Sequence, residues 1–261
     1  MRKKIKNIVR YFYNPLPKTI KSTLQYVFYN IIRSESFVKK GNNWETTFSN
    51  GVRVLFKYPL YHDVKLIKQH SLKYSFKKGD VIIDGGAYHG YTSIFFSKLI
   101  GENGKVFSFE ADSKTIEVLE NSVKLNKLSN IKIIKNLLWS ESTEIEFAEA
   151  SEALSSIYYN PLNKNIVKKK AISLDEFVIN NKLERLDFIK MNIEGAELEV
   201  IKGAKKTIEK FNPSFAISAD HMVDGEMTYI KVENFFKGLN NYNFETVFYN
   251  DGNIITYASP E

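Results

Sequence analysis

The stretch Val81-Ile-Ile-Asp-Gly-Gly-Ala-Tyr-His-Gly90 constrains the fold of this chain more than any other. Three apolar residues run into an acid, cross a glycine-rich turn and enter a second apolar pattern, Tyr91-Thr-Ser-Ile-Phe-Phe-Ser-Lys-Leu-Ile. This reads as a buried strand, a tight loop and a helix start. Glycine permits positive φ and leaves no Cβ between the backbone and a ligand, so such a loop can cradle a nucleotide-like cofactor.

The partners that such a loop needs follow it. Gly101-Glu-Asn-Gly104 is a turn, and Lys105-Val-Phe-Ser-Phe109 reads as a second strand that ends at Glu110. Glu110 lies 20 positions after Gly90. An acid at about that spacing, at the end of the second strand, can accept both ribose hydroxyls of a bound cofactor. The ligand is then a dinucleotide or S-adenosylmethionine. The loop reads Asp-x-Gly-x-x-x-Gly rather than Gly-x-Gly-x-x-Gly, and it opens with an acid. An acid repels a pyrophosphate but attracts a sulfonium or an α-ammonium group, which favours S-adenosylmethionine.

Strand and helix patterns alternate around this unit. Strands are predicted over 81–84, 105–109, 131–135, 186–191 and 214–218, and helices over 60–76, 91–99, 113–127, 196–210 and 228–239. A less regular insertion, 140–172, carries short strands near 144–148 and 167–172. Ser173 stands three positions before Glu176 and reads as a capped helix start. Two strands, 244–249 and 253–258, close the chain through Asp251-Gly252. The pattern implies an α/β fold, a doubly wound and mostly parallel sheet with one antiparallel edge pair. Ahead of it, Trp44–Phe48 and Val52–Phe56 flank Ser49-Asn50-Gly51, read as a hairpin with a type I′ turn. The domain reading is a basic extension with a β-hairpin cap over 1–60 and the core domain over 61–261.

Composition bounds the function. With 43% hydrophobic and 14% aromatic residues the chain can bury a sizeable core, which excludes global disorder. It has no cysteine, so disulfides, thiolate chemistry and Cys-based zinc sites are absent, and the cytoplasm is the expected compartment. The net charge of +7 is concentrated in the first forty residues, where Glu35 is the single acid. Ile5, Ile8, Val9, Phe12, Leu24, Val27, Phe28 and Ile31 recur there at roughly helical spacing, broken at Pro15 and Pro17. An amphipathic segment of this kind packs on the protein, pairs in a homodimer, or meets an anionic membrane surface. No apolar run reaches transmembrane length.

The carboxyl ends of the predicted strands carry Asp84, Glu110, Asn136, Asn192, Glu194, Asp220 and His221, which should converge on one crevice. At these positions the chain resembles the FkbM family of S-adenosylmethionine-dependent methyltransferases. The resemblance rests on Asp84–Gly90, Phe109-Glu110, Ser173–Phe177 and above all Phe188-Ile-Lys-Met-Asn-Ile-Glu-Gly-Ala-Glu197. It covers roughly residues 80–220 and leaves 1–60 outside. It implies a Rossmann-like seven-stranded methyltransferase sheet and O-methylation of a hydroxyl, expected on a saccharide. Two positions depart from the family pattern, which has Asn at Tyr88 and Asp at Asn192.

Carried over position by position, Asp84 and the backbone at Gly86 and Gly90 hold the amino-acid end of the cofactor. Tyr88 joins that contact, Glu110 holds the ribose, and Asn136 meets the adenine ring or simply forms a turn. For the proton of an acceptor hydroxyl, His221 is the leading base, since an unperturbed imidazole titrates near neutrality. Glu194 orients that base or binds the acceptor, and Glu197 is a first-turn acid favoured by the helix dipole. His89 shapes the cofactor loop, while His62 and His70 have no evident role. Asn192 in place of a carboxylate argues against a required divalent metal. Two rival functions are an RNA methyltransferase using the basic N-terminus and a non-catalytic scaffold. The strand-end sequence Asn192-Ile-Glu-Gly lacks the Asn-Pro-Pro-Tyr expected of a base N-methyltransferase, so nucleic acid is not the expected partner.

Overall fold

The structure, a computed structural model, describes residues 35–149 and 165–261. The amphipathic N-terminal stretch, with its breaks at Pro15 and Pro17, lies outside the described residues. The contacts divide the chain into two compact units, one ending at Val64 and one beginning at Lys65.

In the first unit, β1 (Ser36–Lys40), β2 (Asn43–Thr47) and β3 (Arg53–Phe56) form an antiparallel sheet in that order. The β2–β3 hairpin stands where the sequence placed it, but its turn is of another type. Gly51 has φ of 83°, and Asn50 is not among the residues with positive φ, whereas a type I′ turn needs both. Gly51 N–H donates to the Phe48 carbonyl at 2.8 Å and Phe48 N–H to Val52 at 2.8 Å, a three-residue loop with a glycine bulge. The Asn50 side chain instead accepts from Val52 N–H at 3.2 Å. Strand β1 was not anticipated, because Ser-Phe-Val-Lys-Lys offers one fully buried side chain, Phe37, and no alternation.

The helix expected over 60–76 is shorter: α1 spans Asp63–His70. Beyond it the chain turns so that Tyr74 and Phe76 enter an aromatic cluster, Tyr74 stacking on Phe188 at 4.8 Å and Phe76 on Phe96 at 5.0 Å. Then come β4 (Val81–Gly85), α2 (Tyr91–Ile100), β5 (Lys105–Phe109), α3 (Ser113–Leu125) and β6 (Ile131–Ile134). The described parts of the insertion form β8 (Thr143–Glu149) and β9 (Asn165–Ile172), which join β7 (Leu137–Leu138), just ahead of it, in a separate small sheet in the order β7-β9-β8. Next are α4 (Leu174–Asn180), β10 (Phe188–Met191), α5 (Glu197–Lys202), α6 (Lys205–Phe211) and β11 (Ser214–Ser218). The chain closes with β12 (Met222–Val223), β13 (Glu226–Met227), α7 (Thr228–Lys237), β14 (Tyr242–Phe248) and β15 (Ile254–Pro260).

The main sheet has seven strands in the order β14-β15-β11-β10-β4-β5-β6. Strands β6, β5, β4, β10 and β11 are parallel, while β15 is antiparallel to both β11 and β14. The expected antiparallel edge pair is present as β14 and β15. The reversed strand sits second from the edge, and β14 at the edge runs with the parallel set.

The two faces of the sheet differ in chemistry. One carries Ile83, Phe107, Phe109, Ile189, Met191, Phe215 and Ile217 into the principal core, against Leu174, Phe177, Val200, Ile208, Val232 and Phe236 from α4 to α7. The other brings Ser108, Asp84 and Lys190 into register across β5, β4 and β10. The single helix predicted over 196–210 is two. A Cβ at Gly203 would collide with the backbone of Trp139 and Ser140, so the chain bends there. Helix α6 restarts under the Asp175 carboxylate, which accepts from Thr207 N–H at 2.7 Å and Lys206 N–H at 3.2 Å. Among the described residues no helix is long and apolar enough to cross a membrane.

Candidate active site

The parallel strands bring their carboxyl ends to one rim, and the sheet order reverses direction at β4, whose neighbours are β5 and β10. Loops on the two sides of such a point part and leave a crevice. The loop after β4 is held from both sides. Gly86 and Ala87 N–H groups donate to the Phe109 carbonyl at 3.1 and 2.9 Å. Gly86 has φ of 70°, and a Cβ there would strike the Asn192 carbonyl. Its glycine is therefore required by the neighbouring strand end, whatever the ligand. Gly90, at φ of 87°, is the residue preceding α2.

Asp84, expected at the amino-acid end of the cofactor, is fully buried. Its carboxylate accepts from Thr92 Oγ1 at 2.7 Å and Ser93 Oγ at 2.6 Å, and its other oxygen lies 2.9 Å from Lys190 Nζ. Ser108 donates to Ser93 at 2.7 Å and extends the chain. An anion neutralised in this way offers little attraction to a sulfonium or ammonium group. Asp84 instead anchors the start of α2. Lys190, quoted in the family motif but given no role from sequence, proves central. It also donates to the carbonyls of Gly85 at 3.2 Å and Gly86 at 2.9 Å, so one buried ammonium fixes the loop's backbone.

Glu110 joins the second loop to the first. It accepts from Tyr88 N–H at 2.8 Å, Ala111 N–H at 2.9 Å and Asp112 N–H at 3.0 Å. Burial pushes its carboxyl up, and the three backbone donors pull the other way. A carboxylate has about four acceptor positions, so these bonds leave room for one ribose hydroxyl rather than the two expected. That half-buried, partly satisfied carboxylate at the rim fits a ribose-bearing cofactor.

Tyr88 holds a left-handed φ of 50°, a region that suits Asn better than a bulky residue. Its ring stacks on His89 at 3.7 Å, and His89 Nδ1 lies 3.0 Å from the Tyr91 hydroxyl. Burial lowers the pKa of His89. The Asn136 side chain donates to the Lys170 carbonyl at 3.3 Å, which ties the end of β6 to the insertion sheet. In this arrangement Asn136 serves as a long-range tether, a role the sequence reading did not offer.

Across the crevice, β10 and β11 bring together His221, Glu194, Glu197 and Asp220. His221 Nε2 lies 3.5 Å from Glu194 and Nδ1 lies 3.3 Å from Glu197, with Asp220 at 3.9 Å. The Nδ1 contact attracts by charge without the alignment of a hydrogen bond. Burial disfavours the imidazolium, but the paired carboxylates of Glu194 and Glu197 outweigh it and raise His221 to about 10. His221 is therefore an imidazolium at neutral pH in the free site. The ordinary imidazole titration on which the choice of His221 as base rested is thus shifted upward by its two carboxylate neighbours.

Glu197 is fully buried and folds back on the loop, accepting from Ile193 N–H at 3.2 Å and Gly195 N–H at 3.3 Å. Its second oxygen has no hydrogen-bond partner among the described residues. Burial raises the Asp220 carboxyl, and Glu197 and Glu194 add to the rise while His221 opposes it. His70, set aside from sequence, is a buried structural group. Its Nδ1 lies 3.1 Å from the Leu66 carbonyl and its Nε2 2.9 Å from Ser218 Oγ, and burial beside Lys190 keeps it neutral. Among the described residues no group of His, Cys, Asp and Glu has the geometry to hold a metal ion.

The chain is similar in sequence or fold to several known methyltransferases. A "Probable cobalt-precorrin-6B C(15)-methyltransferase (decarboxylating)" of Saccharolobus solfataricus is 28% identical over 167 residues, covering 57% of this chain and 82% of that protein. The crystal structure of methyltransferase FkbM from Methylobacillus flagellatus KT superposes with a TM-score of 0.55 at 19% identity, over 71% of this chain. The match spans 45% of the length of that structure. Fibrillarin of Aeropyrum pernix, solved with natively bound S-adenosyl-L-methionine, matches at 12% identity over 85% of this chain and 97% of its own, with a TM-score of 0.48. The methyltransferase FkbM domain profile matches residues 84–246, more than half of the sequence and every strand end of the crevice from Asp84 to His221; the chain belongs to the FkbM methyltransferase family.

Proposed function

We propose that the protein transfers a methyl group from S-adenosylmethionine, the donor of its family, to a hydroxyl of a sugar or glycan. The observation that carries this reading is the His221–Glu194 pair, at 3.5 Å, on the rim across from the cofactor loop. S-adenosylmethionine supplies a methyl carbon already activated by its sulfonium. What remains for the protein is to align an acceptor oxygen and to take its proton. Glu110 holds the ribose, and the backbone of the loop from Gly86 to Gly90, fixed by Lys190 and Glu110, shapes the site for the methionine end.

The proton inventory of the free site defines the roles of the pair. His221 carries a proton because two carboxylates face it. A hydroxyl that donates to Glu194 competes with the imidazole for that carboxylate, so the proton affinity of His221 falls, while Glu197 still faces it. His221 gives its proton to solvent water and, as neutral imidazole, can then accept that of the acceptor hydroxyl. The rim also counts against RNA as acceptor, because Glu194, Glu197 and Asp220 surround one cationic side chain, and a phosphate backbone would be repelled there.

The test is incorporation of tritiated methyl groups across saccharides, lipids, RNA and tetrapyrroles, followed by analysis of the labelled bond. Label on the oxygen of a saccharide is the expected result. Label confined to RNA, or to carbon, overturns the reading. Loss of label with His221→Ala while calorimetric S-adenosylmethionine binding persists supports the assignment of His221; unaltered turnover removes it.

A further inference from the structure

Phe248 is the last residue of β14 and is 61% exposed, an unusual state for an aromatic side chain on the core face of a sheet. Phe244, four residues earlier on the same face, stacks on Phe236 at 6.5 Å, so the aromatic row continues past the point where the core ends. Because β14 runs with the parallel set, Phe248 stands on the same rim as the crevice. Its register partner is Ile254, whose carbonyl accepts from Ala219 N–H at 2.8 Å, immediately before Asp220-His221. Two strand spacings, about 10 Å, therefore separate Phe248 from the end of β11.

Tyr229 fills that interval. Its N–H donates to the Ala219 carbonyl at 3.1 Å, and its ring meets Phe248 edge-on at 5.2 Å. Thr228 N–H donates to the His221 carbonyl at 2.8 Å, so the same backbone segment holds the aromatic pair and the candidate base. The hairpin β12–β13 lies between them. Its Asp224-Gly225 turn has positive φ at both residues, the rigid type I′ form, and Met222 beside His221 is 67% exposed.

We propose that Phe248 and Tyr229 form the acceptor wall of this site, taking the C–H face of an uncharged pyranose ring while Asp220 and Glu194 accept its hydroxyls. This rests on the saccharide reading above and assigns the residues that select for it. An aromatic face is electronegative and the C–H face of a pyranose is weakly electropositive, so the two attract while apolar area is buried. The carboxylates need donors, and a polyol offers several without adding charge. An anionic sugar would meet the three carboxylates of Asp220, Glu194 and Glu197 gathered around the imidazole of His221 and be repelled. A lipid tail would satisfy the aromatic wall and leave the acids without donors.

Saturation-transfer NMR on the full chain, with methyl gluco-, manno-, galacto- and xylopyranosides and a methyl glucuronide as probes, tests the wall without depending on turnover. Transfer to the ring protons of at least one neutral glycoside is expected, about five-fold weaker for the glucuronide. Phe248→Ala should abolish the transfer and Phe248→Trp should retain it, both with unchanged calorimetric affinity for S-adenosylmethionine. No transfer to any glycoside from the wild type, equal transfer from Phe248→Ala, or preference for the glucuronide overturns the wall. The wall also falls alone if a saccharide is methylated with a KM that Phe248→Ala leaves unchanged. A chain that binds the donor and methylates no saccharide overturns the reaction instead.

Discussion

His221 shows how a residue chosen for its ordinary chemistry is changed by its surroundings. An isolated imidazole titrates near 6.5, and burial alone would lower it, yet two carboxylates raise it to about 10. If docking on Glu194 is what frees the imidazole, Glu194→Gln should lower the alkaline midpoint of kcat/KM by about one to three pH units. A midpoint that stays in place excludes Glu194 from control of the proton. The same pairing has a stability consequence of definite sign. A histidine whose folded pKa lies above its unfolded value stabilises the fold fully below about 6.5, and that contribution is lost as pH rises through about 10. The Tm advantage of the wild type over His221→Asn should therefore shrink between pH 7 and 10. A constant difference would mean that the imidazole is not charged in the fold.

Pairing between β4 and β10 decides what the most recognisable motif does. The loop glycines, the acid at the end of β5 and the strand–helix order were legible because they are local: each rests on spacing within about twenty residues. The partner of Asp84 was not legible, since Lys190 lies on a strand that reaches β4 after the whole intervening half of the fold. Asp84 read alone is a free anion, and Asp84 read with Lys190, Thr92 and Ser93 is a neutralised anchor. The same limit explains the broken helix, because nothing in residues 196–210 signals that Trp139 and Ser140 press on Gly203. Breaking one side of a buried pair costs about 3–5 kcal/mol, whereas removing both charges costs much less. Lys190→Met and Asp84→Asn should thus each lower Tm by roughly 6–20 °C at the 2–4 °C per kcal/mol of a domain this size. The double variant should recover much of the loss while binding S-adenosylmethionine more weakly than wild type, because the Gly85 and Gly86 carbonyls lose their donor. Additive losses in the double variant would show that the two residues act separately.

At the scale of the molecule, the rim of strand carboxyl ends was readable from alternation, whereas the reversal of strand order at β4, which sets where on that rim a ligand lies, was not. Nor was the placement of β15 between β11 and β14, because a hairpin sequence does not reveal on which side it joins a sheet. With β14 parallel at the edge, all six parallel strands end on one rim, and the site extends from Glu110 across to Phe248. Binding of S-adenosylmethionine there should slow backbone hydrogen exchange over 84–91, 110–112 and 192–195. These segments are already tied together by Glu110, Lys190 and the contact of Gly86 with Asn192, so a ligand that stabilises one stabilises all. At a donor concentration about a hundred times Kd the stabilisation is about 2.7 kcal/mol, enough to slow opening about a hundredfold. Turns at the opposite edge, 101–104, 126–130 and 211–213, precede or follow the strands at their amino ends and should exchange as before. Glu110→Gln loses the charge that a ribose hydroxyl meets and turns one accepting oxygen into an NH2 that faces a backbone N–H. A hydrogen bond to a charged group contributes about 1.5–3 kcal/mol, so this variant should bind the donor about ten- to a hundredfold more weakly and show correspondingly less protection. Protection at the amino-end turns, or full protection in Glu110→Gln, would place the donor elsewhere on the sheet and remove the crevice from the mechanism.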